Sequence, residues 1–223
     1  MFVGHYGVSF VLGRLNRQIP LWVLFIAVQM LDVLWAPLVL LGIERVRIVP
    51  GITASNPLDL YYMPYTHSLV AAIVWSAVGY GLYRLWRPAP RATKPAATAA
   101  PAALVGLAVF SHWVLDFIVH RPDLPLYDDT AKVGLGLWNL PAVALGLEAT
   151  LLFGGMWLFV RGRAAPVTGL AMFGVVMLVL QAIVFFGPPP PSGAAAALSG
   201  LFAYAVFAAF VAWWEPRHAD GRT

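Results

Sequence analysis

The sequence predicts an all-α membrane protein: a polytopic bundle of about six transmembrane helices preceded by an N-terminal half-helix, all within one integral domain spanning residues 1–223. Three observations predict it. Hydrophobic residues make up 61% of the chain and charged residues only 11%, against roughly 25% charged in a soluble domain. The mean hydropathy is +0.78. Apolar runs of about 20 residues, each long enough to cross a bilayer as a helix, recur along the chain between charges, prolines and glycines.

The elements follow in order. Phe2 to Leu12 is apolar but too short to span, and it lacks the basic start of a signal peptide. It is expected as a half-helix over residues 1–15, rising from Arg14 at the surface so that Met1 is buried among other helices. An amphipathic helix lying on the inner leaflet is the alternative. Spans are expected at 19–43, 66–86, 101–120, 136–160, 167–187 and 194–214. Residues 87–103, rich in Pro and Ala and without a large apolar residue, read as a linker that cannot bury a core. Gly187-Pro-Pro-Pro-Pro-Ser-Gly193 is a stiff connection that cannot continue a helix.

The basic residues sort by side. Arg14, Arg17, Arg84, Arg87, Arg91, Lys94, Arg161, Arg163, Arg217 and Arg222 fall on one face of these spans, leaving only Arg45, Arg47, Arg121 and Lys132 for the other. The positive-inside rule makes the richer face cytoplasmic, with both ends of the chain on that side and the loops 44–65 and 121–135 facing outward. A net charge of +4 on such a chain reports this orientation, so no nucleic-acid partner is expected; the expected surroundings are the lipid bilayer. The absence of Cys excludes disulfides, thiolate metal sites, iron–sulfur clusters and a Cys nucleophile, so a metal would have to be held by His, Asp or Glu.

Seven polar residues remain within or at the edge of the spans: His5, Asp32, His67, His112, Asp116, His120 and Glu148. Ionisable groups are costly in hydrocarbon and normally face a partner or a cavity. Counting helical rise from the cytoplasmic ends places His5, Asp32, His112, Asp116 and Glu148 in one layer, roughly 14 to 23 Å up. His67 and His120 are expected in a second layer, roughly 25 to 30 Å up, reached by a cavity from the outer face. His112, Asp116 and His120 recur every four residues and stack on one helical face, where an imidazole and a carboxylate one turn away can ligate one ion. A buried His–Asp hydrogen bond tying helices together is the plain alternative. Thr66 is expected as the N-cap of the helix opened by His67. Trp138 and Asn139 are expected to contact substrate, Glu148 and His120 to move protons, and Asp123, Asp128 and Asp129 to be solvated loop charges.

At His5, Asp32, Thr66-His67-Ser68 and His112 to Asp116 the chain resembles the bacterial membrane-bound metal-dependent hydrolases of the inner membrane, over roughly its first 160 residues. Two departures stand out. The family's Pro-Asp-x-Asp is reduced to Asp32 in Leu31-Asp-Val-Leu34, and its His-Arg pair before Thr-His-Ser is replaced by Met63-Pro-Tyr65. The resemblance implies a multi-pass bacterial inner-membrane protein with one or two divalent ions, zinc foremost, held by His5, Asp32, His67, His112 and Asp116. The expected reaction is hydrolysis of an ester or phosphoester in a lipid-like substrate by a metal-activated water. The rival readings of the same cluster are a cation or proton transporter or channel, and a non-catalytic scaffold.

Overall fold

The computed structural model describes residues 1–87, 100–162 and 167–218. It is an all-α bundle with one small hairpin. The elements are α1 (Gly4–Leu15), α2 (Leu21–Val28), α3 (Met30–Leu40), β1 (Arg45–Ile48), β2 (Leu58–Tyr62), α4 (Leu69–Trp86), α5 (Pro101–Val119), α6 (Pro141–Val160), α7 (Val167–Phe186) and α8 (Gly193–His218). Five of these, α4 to α8, are long and apolar enough to cross a membrane, and α2 and α3 pass the same test only as a bent pair, which is either a broken sixth span or a re-entrant loop. Their outward faces are apolar and exposed, as at Ile73, Val175 and Ile183, which is the surface lipid requires.

The half-helix exists and is the most deeply buried element. Val3, His5, Tyr6, Ser9 and Phe10 are inaccessible, and Met1 is buried with them. Glycine makes this possible. A Cβ on Gly7 would collide with the Leu151 carbonyl of α6, and one on Gly155 would lie 2.8 Å from the Gly7 Cα, so the two backbones touch directly. A helix starting inside the bundle has orphan N–H groups, and Glu148 of α6 supplies the acceptor: its Oε2 takes hydrogen bonds from the backbone N–H of Phe2 at 3.0 Å and Gly4 at 3.1 Å.

The expected span 19–43 is broken. At Gln29 the helix axis turns by 52°, and the buried Gln29 amide donates from Nε2 to the Phe2 carbonyl at 3.2 Å. Irregular backbone at membrane depth is tolerated where protein satisfies it, and here His112 of α5 meets the Val28 carbonyl at 2.7 Å. The expected loop 44–65 contains an antiparallel hairpin pairing Arg45 with Tyr62, Arg47 with Asp59 and Ile48 with Leu58. This hairpin marks one end of the bundle: Ser55 Oγ donates to the Trp138 carbonyl just before α6 at 2.8 Å. The expected span from residue 136 starts at Pro141, after a single 3-10 turn over Leu137–Asn139. Of the expected linker 87–103, residues 101–103 already belong to α5, while 88–99 lie outside the described residues.

More than half of α5 is buried, and it runs through the centre of the bundle. Its Gly106 admits α4, whose Ser76 Oγ donates to the Gly106 carbonyl at 2.5 Å. Towards the end of the bundle opposite the hairpin, Phe10, Phe25 and Phe159 fill the core. There α7 and α8 meet through Phe173, stacked on Phe210 at 4.1 Å and edge-on to Phe207 at 5.5 Å.

Candidate metal centre

The four-residue spacing of His112, Asp116 and His120 on α5 puts all three side chains on one face, pointing to where α1, α3 and the turn before α4 converge. Asp116 lies in the middle. Its Oδ1 faces His5 Nε2 at 3.2 Å and pairs with the Met1 α-ammonium. Its Oδ2 faces His112 Nε2 at 3.1 Å, His120 Nε2 at 3.6 Å and His67 Nε2 at 3.9 Å. Asp32, from the first turn of α3, sets Oδ1 3.3 Å from His67 Nε2 and 3.7 Å from His112 Nε2, while its Oδ2 accepts from the Tyr204 hydroxyl of α8 at 2.8 Å. Two ligand sets lie within ion-binding reach, His5 with His112 and Asp116, and Asp32 with His67 and His112.

The hydrogen bonds on the far side of each ring fix what the near side offers. His112 Nδ1 is 2.7 Å from the Val28 carbonyl at the break between α2 and α3, so Nδ1 carries the proton. His120 Nδ1 is 2.8 Å from the Asp123 carboxylate, which makes it a donor too. The Thr66 hydroxyl gives its one proton to Glu44 Oε2 at 2.6 Å, so it must accept from His67 Nδ1 at 2.7 Å. With Nδ1 committed on each of these rings, Nε2 of His67, His112 and His120 is the atom left to face the two carboxylates. The Met1 α-ammonium meets one oxygen of Asp116, and His rings anchored at one nitrogen and turned towards carboxylates at the other are the usual surroundings of a bound metal.

His5 stacks on His112 with ring centroids 4.0 Å apart and planes 5° from parallel, and neither of its ring nitrogens has a hydrogen-bond partner. Glu44 is buried at the hairpin end of α3, accepting from the Tyr65 and Thr66 N–H groups at 2.8 and 2.9 Å. Burial raises its carboxyl above the ordinary range, against the pull of His67 and these hydrogen bonds.

All five sequence-predicted ligands thus come together, but not in two layers. His67 and His120 join the same cluster, because one helical turn separates neighbouring side chains on α5 by only about 5–6 Å, a gap that an imidazole spans. Thr66 is not the helix cap: Ser68 is, its Oγ accepting from the Ala71 N–H at 3.1 Å, which frees the Thr66 hydroxyl for His67. Asp123 is not solvated; it is buried against His120. Asp128 is exposed, and Asp129 pairs with Lys132 at 2.8 Å. Trp138 lines the cavity beside the cluster and packs on His120 with centroids 4.2 Å apart, whereas Asn139, on the next position of the 3-10 turn, is exposed and turned away from it. Glu148 also lines the cavity, with Oε1 unpartnered.

Comparison of the chain with protein-family models, curated proteins and solved structures finds no match. The chemistry of the site therefore rests on its own geometry.

Glu44, Tyr204 and Gln181 escaped sequence reasoning. Glu44 sits beside the basic hairpin residues and reads as a loop charge, and Tyr204 and Gln181 are single polar groups in apolar helices. Only Gln181 carried a signal, since a lone amide well inside a span needs a reason to be there.

Proposed function

We propose that this protein is a membrane-embedded hydrolase that uses a divalent metal ion, zinc by the donor set, to cleave an ester or phosphoester of a lipid-like substrate. The observation that carries the reading is the convergence of His5, His67 and His112 with Asp32 and Asp116, His67 and His112 being anchored at Nδ1. His nitrogen and carboxylate oxygen are the ligands zinc takes in hydrolytic sites. The resemblance of the His5, Asp32, Thr66-His67-Ser68 and His112-to-Asp116 pattern to the bacterial inner-membrane metal-dependent hydrolases supports it. With Nδ1 committed to Val28, His112 has one nitrogen to offer, so the two ligand sets that share it describe alternative placements of one ion, or two ions of which one takes His112.

A divalent ion in this position supplies Lewis acidity to the substrate's polar group and acidifies a water. The chain's own residues do the rest. Asp123 and Glu44, the latter through Thr66, hold His120 and His67 in the tautomer that presents Nε2. Glu148 Oε1, buried and unpartnered, accepts the proton released by the attacking water, while Oε2 stays fixed to α1. His120 Nε2, beside Asp116, is the second group able to carry that proton to the leaving oxygen. The overall change is addition of water across the bond, giving an acid and an alcohol.

Transport through the same cluster is the rival, and the packing opposes it. Below His5 and His112 the bundle is filled by Phe10, Phe25, Leu24 and Phe159, so no polar path continues to the other end among the described residues. The deciding experiment is elemental analysis of detergent-purified protein, followed by ester turnover in mixed micelles with and without chelator. Stoichiometric zinc with chelator-sensitive turnover supports the hydrolase. Metal-dependent flux into liposomes without turnover would replace it by a transporter.

A further inference from the structure

A cavity of about 400 Å³ begins at the His/Asp cluster, where Asp32, His67, Asp116 and Glu148 form its inner wall. It does not run along the bundle axis but sideways. One wall is α7, with Leu180, Ile183 and Val184; the other is α8, with Ala196, Ser199, Gly200 and Ala203. The α8 residues recur at positions i, i+3, i+4 and i+7, so apart from Tyr204, whose hydroxyl is held by Asp32, the side of α8 facing the cavity carries nothing larger than a hydroxymethyl group. The rim lies in the lipid-facing surface: Ile183 is 55% and Val184 51% exposed. At the far end of the same helices Phe173 closes the gap by stacking on Phe210, so the opening is confined to the half near the hairpin.

The polarity is graded. The mouth is apolar, and the inner end carries three buried neutral groups with no partner: Trp35 Nε1, Trp138 Nε1 and Gln181 Oε1. Buried donors and acceptors left unsatisfied inside a protein ask for a ligand or ordered water. No Lys or Arg is among the described lining residues, whereas three carboxyl side chains are. One of these, Asp116, is paired with the Met1 α-ammonium, and an uncharged head would meet two N–H donors and an amide oxygen.

We propose that the cleft between α7 and α8 takes one hydrocarbon chain of an uncharged membrane ester directly from the bilayer, placing the ester carbonyl at the His/Asp cluster and the head against Trp35, Trp138 and Gln181. The occupant is a lipid because the rim stands in the lipid-facing surface of two spanning helices and is continuous with the site. This inference rests on the hydrolase reading for its reaction, in which water oxygen bonds to the acyl carbon, the acyl C–O bond breaks and the proton passes to the departing alcohol. The chain seat is testable without that reaction.

The experiment uses the full chain reconstituted with zinc in phosphatidylcholine vesicles doped with a monoacylglycerol bearing a diazirine midway along its acyl chain. After irradiation, labelled peptides are mapped by mass spectrometry. Label should concentrate on 180–184 and 196–203 over the equally lipid-exposed face of α4 at Val70, Ile73 and Val74, and excess unlabelled monoacylglycerol should compete it away. Ala203→Phe, which fills the cleft, should cut this label about tenfold, the scale of losing apolar pocket contacts. Val176→Phe, on the lipid-exposed surface of α7 outside the cavity, should leave it unchanged. Ser199→Leu at the rim provides a second obstruction if Ala203→Phe does not fold. Equal labelling of α4 and the cleft, label surviving both obstructions, cross-links between copies of the chain in place of lipid, or equal competition by a lysophosphatidic acid of the same chain length would each overturn the proposal. If labelling is specific while neither long-chain nor short-chain ester is cleaved, the chain seat stands and the hydrolase reading falls. If both hold, Ala203→Phe should lose turnover of the long-chain ester and keep that of a short, water-soluble one.

Discussion

Substituting Gly7 by Ala should dismantle the metal centre without touching a ligand. A Cβ at Gly7 would fall 2.5 Å from the Leu151 carbonyl carbon and 3.1 Å from the Leu152 nitrogen, and both are backbone atoms that no rotamer change can move aside. Carbon atoms pack at about 3.5 Å or more, so α1 would have to recede from α6 by about 1 Å. His5 sits two residues before Gly7 on the same rigid helix and shares this shift. Ligand distances are held to about 0.2 Å in a working metal site, so His5 would leave it. The expected outcome is a loss of about 1–3 kcal/mol in stability, as for an overpacked core, together with zinc affinity as weak as that of His5→Ala. The same substitution gives a graded series. Gly13→Ala meets only the Phe159 ring at 3.2 Å and the Leu21 methyl at 3.3 Å, which can yield, and should be intermediate. Gly154→Ala, next to the contact residue Gly155 on α6, meets nothing within 4 Å and should be neutral. Thermal unfolding in detergent and zinc titration read the two effects separately. Gly7→Ala indistinguishable from Gly154→Ala in both would refute the direct backbone contact and, with it, the placement of His5.

The other predictions address the ligands, their supports and the topology. His112→Gln and Asp116→Asn should each abolish stoichiometric zinc while leaving the detergent-solubilised protein helical by circular dichroism; retention of full metal by both would remove the centre. Glu44→Gln and Thr66→Val should weaken zinc binding about 10–100-fold, the usual cost of losing a group that orients a ligand, and an unchanged titration in both would show that His67 is not held through them. A charged tag fused ahead of Met1 must displace a residue that is only 7% exposed and whose amine pairs with Asp116, so it should lower zinc content as far as His5→Ala does, whereas a tag after Thr223 should leave the content unchanged. A cysteine at exposed Ala54 should react with an impermeant reagent from outside intact cells and one at Thr93 should not; the reverse pattern would invert the orientation.

The sequence by itself determined the solvent and the class of fold, because these depend on composition and on run length. A chain 61% hydrophobic with apolar runs of about 20 residues has no route to a water-soluble core. It also determined the ligand candidates, since ionisable groups within apolar runs are rare enough to stand out one by one. The Gly4-His5-Tyr6-Gly7 start likewise showed a segment too short to span yet apolar enough to bury. Tertiary structure decided the rest. Whether Thr66 capped a helix or oriented His67 depended on Glu44, which reaches it from 22 positions away. Asp123 looked like a loop charge until the turn after α5 folded it against His120 at 2.8 Å. The break at Gln29 coincides with its amide bonding to Phe2 and with the Val28 carbonyl accepting His112, both long-range contacts that no local pattern encodes. The cleft between α7 and α8 lay furthest from the sequence, because a cavity is the space that packing leaves, and it depends on where Phe173 meets Phe210 and where small residues line α8.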